Sequence, residues 1–314
     1  MEKMLEGKVA IITGAGRGLG HEEALAMAKE GCNLVINDLG AAFDGSGQES
    51  KIADEVVAEV QKLGVKAVAN YDSVTDFNKA KAMIDQAISE FGKLDILVNN
   101  AGILRDRMLF NMTEAEFDDV IAVHLKGTFN MTRHAAAYFR QKGKADESLG
   151  NFGRIINTAS DAGLTGNVGQ TNYGAAKAGI AAFTMNASAE LKKYATVNCI
   201  VPLARTRLTT DATPQMVEIM NKLDETGLDV FNPANVAPMV VFLASDKAKR
   251  ISGEVFRVVG DRIMLFQGWH TVNQIKNDHK PFTPQSITER IRELMKGAPK
   301  RENLYALLGD MVKM

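Results

Sequence analysis

Tyr173 and Lys177 stand four residues apart in the stretch Tyr173-Gly-Ala-Ala-Lys177, with Ser160 thirteen residues upstream. Side chains at that spacing share one face of a helix, so the ammonium can sit near the phenol and favour its ionised form. A free phenol has a pKa of about 10, and a fixed positive charge beside it is the simplest way to make it exchange protons near neutral pH. The pair therefore predicts an acid-base tyrosine, with the serine hydroxyl holding a substrate oxygen. Spacing alone does not suffice, because Tyr138 and Lys142 repeat it with Leu125 where the serine would stand.

The elements that would position this chemistry begin at Lys8–Thr13, a short apolar, β-branched run that reads as a strand. It runs into Gly14-Ala-Gly-Arg-Gly-Leu-Gly20 and a helical pattern to Lys29. In a strand, glycine turn and helix, the glycines let backbone approach a pyrophosphate, and the helix N-terminus offers free N–H groups and partial positive charge. Gly14, Arg17, Gly18, Leu19 and Gly20 are the candidates there; a glycine turn by itself can also be only a tight turn. Asp38 ends the next strand, Asn33–Asn37, eighteen residues after the turn. A carboxylate there accepts from the adenosine ribose hydroxyls and repels a 2′-phosphate, which favours NAD over NADP. Arg17 cuts the other way, since it either pairs with such a phosphate or is solvated.

A glycine-rich loop, 39–47, leads to a helix around Glu49–Leu63 and a third strand at Lys66–Asn70. Asp72 and Ser73 follow and lie near the adenine if the sheet is doubly wound; Asp72 can equally be a turn residue leading a helix. A helix at about Asp76–Phe91 then precedes the strand Leu94–Val98. Alternating strands and helices imply a parallel sheet buried on both faces.

With 314 residues, the chain is long enough for one large α/β domain with additions. Its formal charge of −1, from 37 basic and 38 acidic residues, gives no field for nucleic acid or an anionic membrane, so small molecules or other subunits are the expected partners. Cys32 and Cys199 sit in apolar, strand-like runs and read as buried reduced thiols, which suits a reducing compartment. No signal core opens the chain and no run approaches the roughly 20 apolar residues of a membrane span, so a cytoplasmic location is expected. His21, His134, His270 and His279 show no metal-ligand spacing, and no metal is expected.

Thr13-Gly-Ala-Gly-Arg-Gly-Leu-Gly20 resembles the TGxxxGxG turn of the short-chain dehydrogenase/reductase family, and Asn99-Asn-Ala-Gly102 its NNAG segment. Ser160, Tyr173 and Lys177 fall on that family's catalytic serine and YxxxK pair. From Lys8 to Phe256 the chain is identified as a member. The resemblance implies a Rossmann-type α/β fold, a doubly wound parallel sheet with a helical substrate lid. It also implies an NAD-dependent alcohol dehydrogenase in which Asn99, Ala101 and Gly102 contact the cofactor. Tyr173 and Lys177 would meet the nicotinamide ribose, and Thr206 the carboxamide.

Four stretches, 35–40, 67–74, 99–106 and 166–173, further resemble the (3R)-hydroxyacyl-CoA dehydrogenase module of peroxisomal multifunctional enzyme type 2 and its stand-alone bacterial relatives. That points to an acyl-CoA thioester substrate. His124 stands where most of the family has an asparagine that orders a relay water. A histidine there does the same, shuttles protons itself, or is a satisfied structural residue. A dehydrogenase of another secondary alcohol, steroid, cyclic or aromatic, is the alternative, and a non-catalytic NAD-binding subunit a further one.

The remaining elements follow from the same pattern. A long helix from about Thr113 to Gln141 opens on a capping box, Thr113-Glu-Ala-Glu116. Arg154–Thr158 is the strand delivering Ser160, Asn172–Tyr194 the helix carrying Tyr173, Thr196–Val201 the next strand, and Gly253–Val259 the closing one. Small residues Ala175, Ala176, Ala178 and Gly179 permit close packing, and a homodimer or homotetramer is expected. The lid spans about 205–228, where Arg205 and Arg207 either meet coenzyme A phosphates or are solvated. Residues 1–267 form the expected domain. The extension 268–314, with a capped helix from Thr283, would cover the lid or join an interface. Its last residues, Val312-Lys-Met314, do not read as a peroxisomal address.

Overall fold

The computed structural model describes residues 2–41, 44–45, 47, 51–206, 217–218, 220–299 and 302. Arg207, Pro214 and the middle of the expected lid lie outside them. The run predicted as the first strand forms β1 (Val9–Thr13), followed by α1 (Gly18–Lys29), β2 (Asn33–Asn37), α2 (Lys51–Gln61), β3 (Ala67–Asn70), α3 (Phe77–Phe91) and β4 (Ile96–Asn99). Next come α4 (Glu114–Ile121), α5 (Gly127–Ala145), β5 (Gly153–Thr158), α6 (Thr171–Leu191), β6 (Ala195–Pro202), α7 (Ala237–Ala244), β7 (Val255–Val259), β8 (Arg262–Phe266) and α8 (Pro284–Met295).

The eight strands make one sheet in the order β3-β2-β1-β4-β5-β6-β7-β8, parallel from β3 to β7. Successive β1 residues face opposite sides, so both faces need apolar cover. Ala10 and Ile12 pack with α1, α2 and α7, whereas Val9 and Ile11 pack with α3, α5 and α6. The direction of winding reverses between β1 and β4, and in an open parallel sheet the crevice at that switch is where ligands bind.

Two expectations need correction. The helix expected from Thr113 to Gln141 starts at its capping box, but a π turn at Ala122–Lys126 divides it into α4 and α5. Each π turn inserts one residue, which re-aims the side chains it carries, and this one carries His124. The strand at 253–259 does not close the sheet: β8 folds back antiparallel on β7 through Gly260-Asp261, with Gly260 at φ +53°. Its sequence, Arg-Ile-Met-Leu-Phe, lacks the polar alternation that usually marks a half-exposed strand.

Candidate active site

A cleft of about 410 Å³ opens at the switch between β1 and β4. Gly14, Arg17, Gly18 and Leu19 line its floor, Asp38, Asp72 and Ser73 one end, and Ala101, Gly102 and Thr206 the other. Gly14 has φ +65°, and a Cβ there would lie 2.7 Å from the Ala101 Cα, so only glycine lets the turn approach β4 this closely. No side chain caps α1, which leaves its first-turn amides for an anionic ligand. Asp38 is fixed by two backbone donors, Gly16 N at 2.8 Å and Gly40 N at 2.7 Å. Its remaining lone pairs can accept hydroxyls. A glycine cradle, uncapped amides and an oriented carboxylate fit a dinucleotide.

Ser160, Tyr173, Lys177 and His124 gather beyond the Gly102 end of this cleft and are not among its lining residues. β5 delivers Ser160 beside Tyr173, where the serine favours the ionised phenol, and the Lys177 Nζ lies 5.4 Å from the Tyr173 ring centre. Lys177 is 3% exposed, and its Nζ donates to the Thr158 carbonyl at 2.6 Å. The His124 ring stands edge-on to Tyr173, with centres 5.1 Å apart. A Cβ on Gly102 would fall 2.4 Å from the His124 Cε1, so that glycine makes room for the imidazole. Asn172 anchors the start of α6 by donating to the Arg105 and Glu116 carbonyls and accepting from Tyr173 N.

The electrostatics differ from the simple expectation that Lys177 lowers Tyr173. Burial pushes the phenol up to about 12 against the lowering influence of Ser160, and Asp106 and Asp161 push it further. Burial also brings Lys177 down to about 8. The ammonium is itself desolvated and turned to a carbonyl, so in the protein alone burial outweighs its field. His124 is held well below its ordinary value by burial and by Lys177, so the ring is neutral. Its Nε2 meets Ile103, 2.8 Å from the carbonyl and 3.1 Å from the amide nitrogen, while Nδ1 has no protein partner among the described residues.

A family model described as short chain dehydrogenase matches residues 8–216. This chain belongs to the short-chain dehydrogenase family. It is an oxidoreductase with the Rossmann-type fold of that family. Hydroxyacyl-CoA dehydrogenase ChsB1 of Mycobacterium tuberculosis is 42% identical over 304 residues, covering 96% of this chain and 93% of that one. The mouse peroxisomal multifunctional enzyme type 2 is 34% identical over 98% of this chain and 40% of its own length. A solved 7α-hydroxysteroid dehydrogenase in complex with NADH and 7-oxo glycochenodeoxycholic acid is 30% identical, with a TM-score of 0.71 over 83% of this chain and 96% of that chain.

Several expected residues do other work in this short-chain dehydrogenase. Asn99 is 5% exposed and donates to Thr132 and Asn157, tying β4 to α5 and β5 beneath the cleft instead of lining it. Gly20 is likewise internal, packed under the Gly14 carbonyl and the Asn100 side chain. Asn100, which sequence reasoning passed over, donates to the Thr13 and Gly14 carbonyls and so locks β4 to the glycine turn. Arg205 is held by the protein itself: it forms a two-point pair with Asp229, at 2.5 and 3.2 Å, and donates to the Met220 carbonyl. Among the described residues no group of His, Cys, Asp and Glu is placed to hold a metal ion, and no helix is long and apolar enough to cross a membrane.

Proposed function

We propose that this short-chain dehydrogenase transfers a hydride between NAD(H) and the 3-hydroxy or 3-oxo group of an acyl-CoA thioester, with Tyr173 as acid and base. The observation that carries this reading is Tyr173 gathered with Ser160 and buried Lys177 at one end of a dinucleotide-shaped cleft, the Lys177 Nζ lying 5.4 Å from the phenol ring centre. Bound NAD+ supplies the hydride acceptor and a positive ring charge. Tyr173 accepts the hydroxyl proton as the carbinol carbon gives up its hydride, and returns it in the reverse direction. Ser160 orients the substrate oxygen, and Lys177 supplies positive charge next to the phenolate. His124 relays as a neutral ring through its unpartnered Nδ1, ordering a water in place of carrying charge.

The likeness to the mycobacterial hydroxyacyl-CoA dehydrogenase supports the thioester, and the fixed Asp38 supports NAD over NADP because a 2′-phosphate would meet its carboxylate. The hydroxysteroid dehydrogenase likeness supports a second reading, a steroid alcohol. Exposed apolar residues on α3, α5 and β8 support a homodimer or homotetramer, and the free, buried Cys32 and Cys199 support a reducing compartment such as the cytoplasm. Turnover should be measured on chain-length series of (3R)- and (3S)-hydroxyacyl-CoA and on hydroxysteroids, each with NAD and with NADP. The expected outcome is a preference for (3R)-thioesters with NAD. Oxidation of steroids alone moves the assignment to the second reading, and preference for NADP removes the role given to Asp38.

A further inference from the structure

Asp161 follows Ser160 directly and is 1% exposed, yet the proposed proton transfer does not use it. Its Oδ1 accepts from Nε of Arg257 at 3.0 Å and from Nη2 at 2.5 Å, while Oδ2 has no partner. Arg257 lies on β7, is 3% exposed, and reaches further. Its Nη1 donates to Glu302 Oε1 at 3.1 Å and Nη2 to Oε2 at 2.6 Å, with the guanidinium 4.5 Å from the centre of the Phe266 ring on β8. A single buried cation thus serves two carboxylates, one on the serine turn and one in the C-terminal extension. The planar fork of arginine holds both at once, and losing either partner frees the guanidinium to re-aim.

We propose that Arg257 is a positioning residue through which Glu302 of the C-terminal extension holds the Ser160–Asp161 turn against Tyr173. This rests on the reading of Ser160 and Tyr173 as the catalytic pair. The coupling has an electrostatic side as well as a geometric one. Burial and the charge of Glu302 push the Asp161 carboxyl up against the pull of Arg257, and the charge on Asp161 in turn opposes ionisation of Tyr173. A contact made in the extension is felt at the phenol through two salt-bridged groups.

The test uses the full chain. The Glu302 side chain is 43% exposed, so Glu302→Ala leaves the core intact. Hydrogen exchange of amides 160–166 should quicken roughly threefold or more in Glu302→Ala, as expected when a tertiary restraint on a turn is lost. Turnover should fall by about fivefold through misorientation, with the KM for NAD unchanged, and Glu302→Asp should restore part of it. Asp161→Asn removes the carboxylate charge near the phenol, so the rising limb of the oxidation pH profile should move to lower pH. Unchanged exchange at 160–166 in Glu302→Ala overturns the coupling, and an unmoved limb in Asp161→Asn reduces Asp161 to a structural residue and overturns its role. If the wild-type chain oxidises no alcohol in the panel above, the catalytic reading fails separately and the exchange at 160–166 still decides the coupling.

Discussion

Tyr173 and Tyr138 each carry a lysine four residues on, and in both pairs the ammonium lies close to the ring, at 5.4 and 5.8 Å from its centre. Burial raises both phenols. What separates them is the partner of the hydroxyl. Tyr138 accepts from the Leu94 amide at 3.4 Å, whereas Tyr173 meets a serine at the end of the cofactor cleft. Because burial keeps the Tyr173 phenol protonated in the protein alone, alcohol oxidation, which needs the phenolate, should accelerate as pH rises through the neutral range. Ketone reduction, which needs the phenol, should not. Tyr173→Phe should lower turnover by about a hundredfold or more, the usual scale of a lost acid-base group. NADH affinity, read by fluorescence titration, should stay within about twofold, since a single hydroxyl among many cofactor contacts is lost. Turnover near the wild-type level would remove Tyr173 from its role.

Helix α1 does two things at once: its N-terminus faces the cleft, and its flank packs against α2 and α7. On that flank Glu23 is fully buried, and neither carboxyl oxygen has a partner. Burial alone pushes its pKa up to about 8 from an ordinary 4.5, so at neutral pH the folded protein keeps a proton that the unfolded chain releases. Below pH 4.5 both states hold the proton and the group is neutral to stability. Between 4.5 and 8 stability falls by roughly 1.4 kcal/mol per pH unit from this residue, and above 8 the loss is complete. Glu23→Gln keeps the shape and removes the ionisation. Melting temperatures taken from pH 5 to pH 8 should therefore diverge, the variant gaining on the wild type as pH rises; parallel curves would mean that Glu23 finds a partner when ionised.

The sheet brings together groups far apart in sequence: β1 and β2 build the nucleotide end, and β5, α6 and the π turn before α5 the reacting end. Its last strand, β8, presents Ile263 and Leu265 at 59% and 63% exposure, with Trp269 at 89% beyond it. An apolar edge strand invites another strand unless it is covered, and the self-association proposed above would cover it with a second copy. Light scattering behind size exclusion should show an assembly for the wild type and a smaller species for the double substitution Ile263→Asp, Leu265→Lys. A wild-type monomer at micromolar concentration would remove self-association from the proposal.

The strands, the glycine turn and the Ser160, Tyr173 and Lys177 set were legible in the sequence because each is a local pattern. Apolar β-branched runs make buried parallel strands, and a short-range motif carries its own geometry. His124 was visible as a position, but its π turn was not, because one inserted residue leaves helical periodicity nearly unchanged. Asn99 and Asn100 are adjacent and of the same type, and only the packing of β4 sends one side chain below the sheet and the other to the glycine turn. Arg205 met Asp229, and Arg257 met Asp161 and Glu302, across loops whose closure no spacing encodes. The sequence by itself thus determined which elements form and which chemistry they can hold. Tertiary structure alone decided the ionisation of Tyr173, Lys177, His124 and Glu23, because a pKa depends on burial and on charges brought near through space.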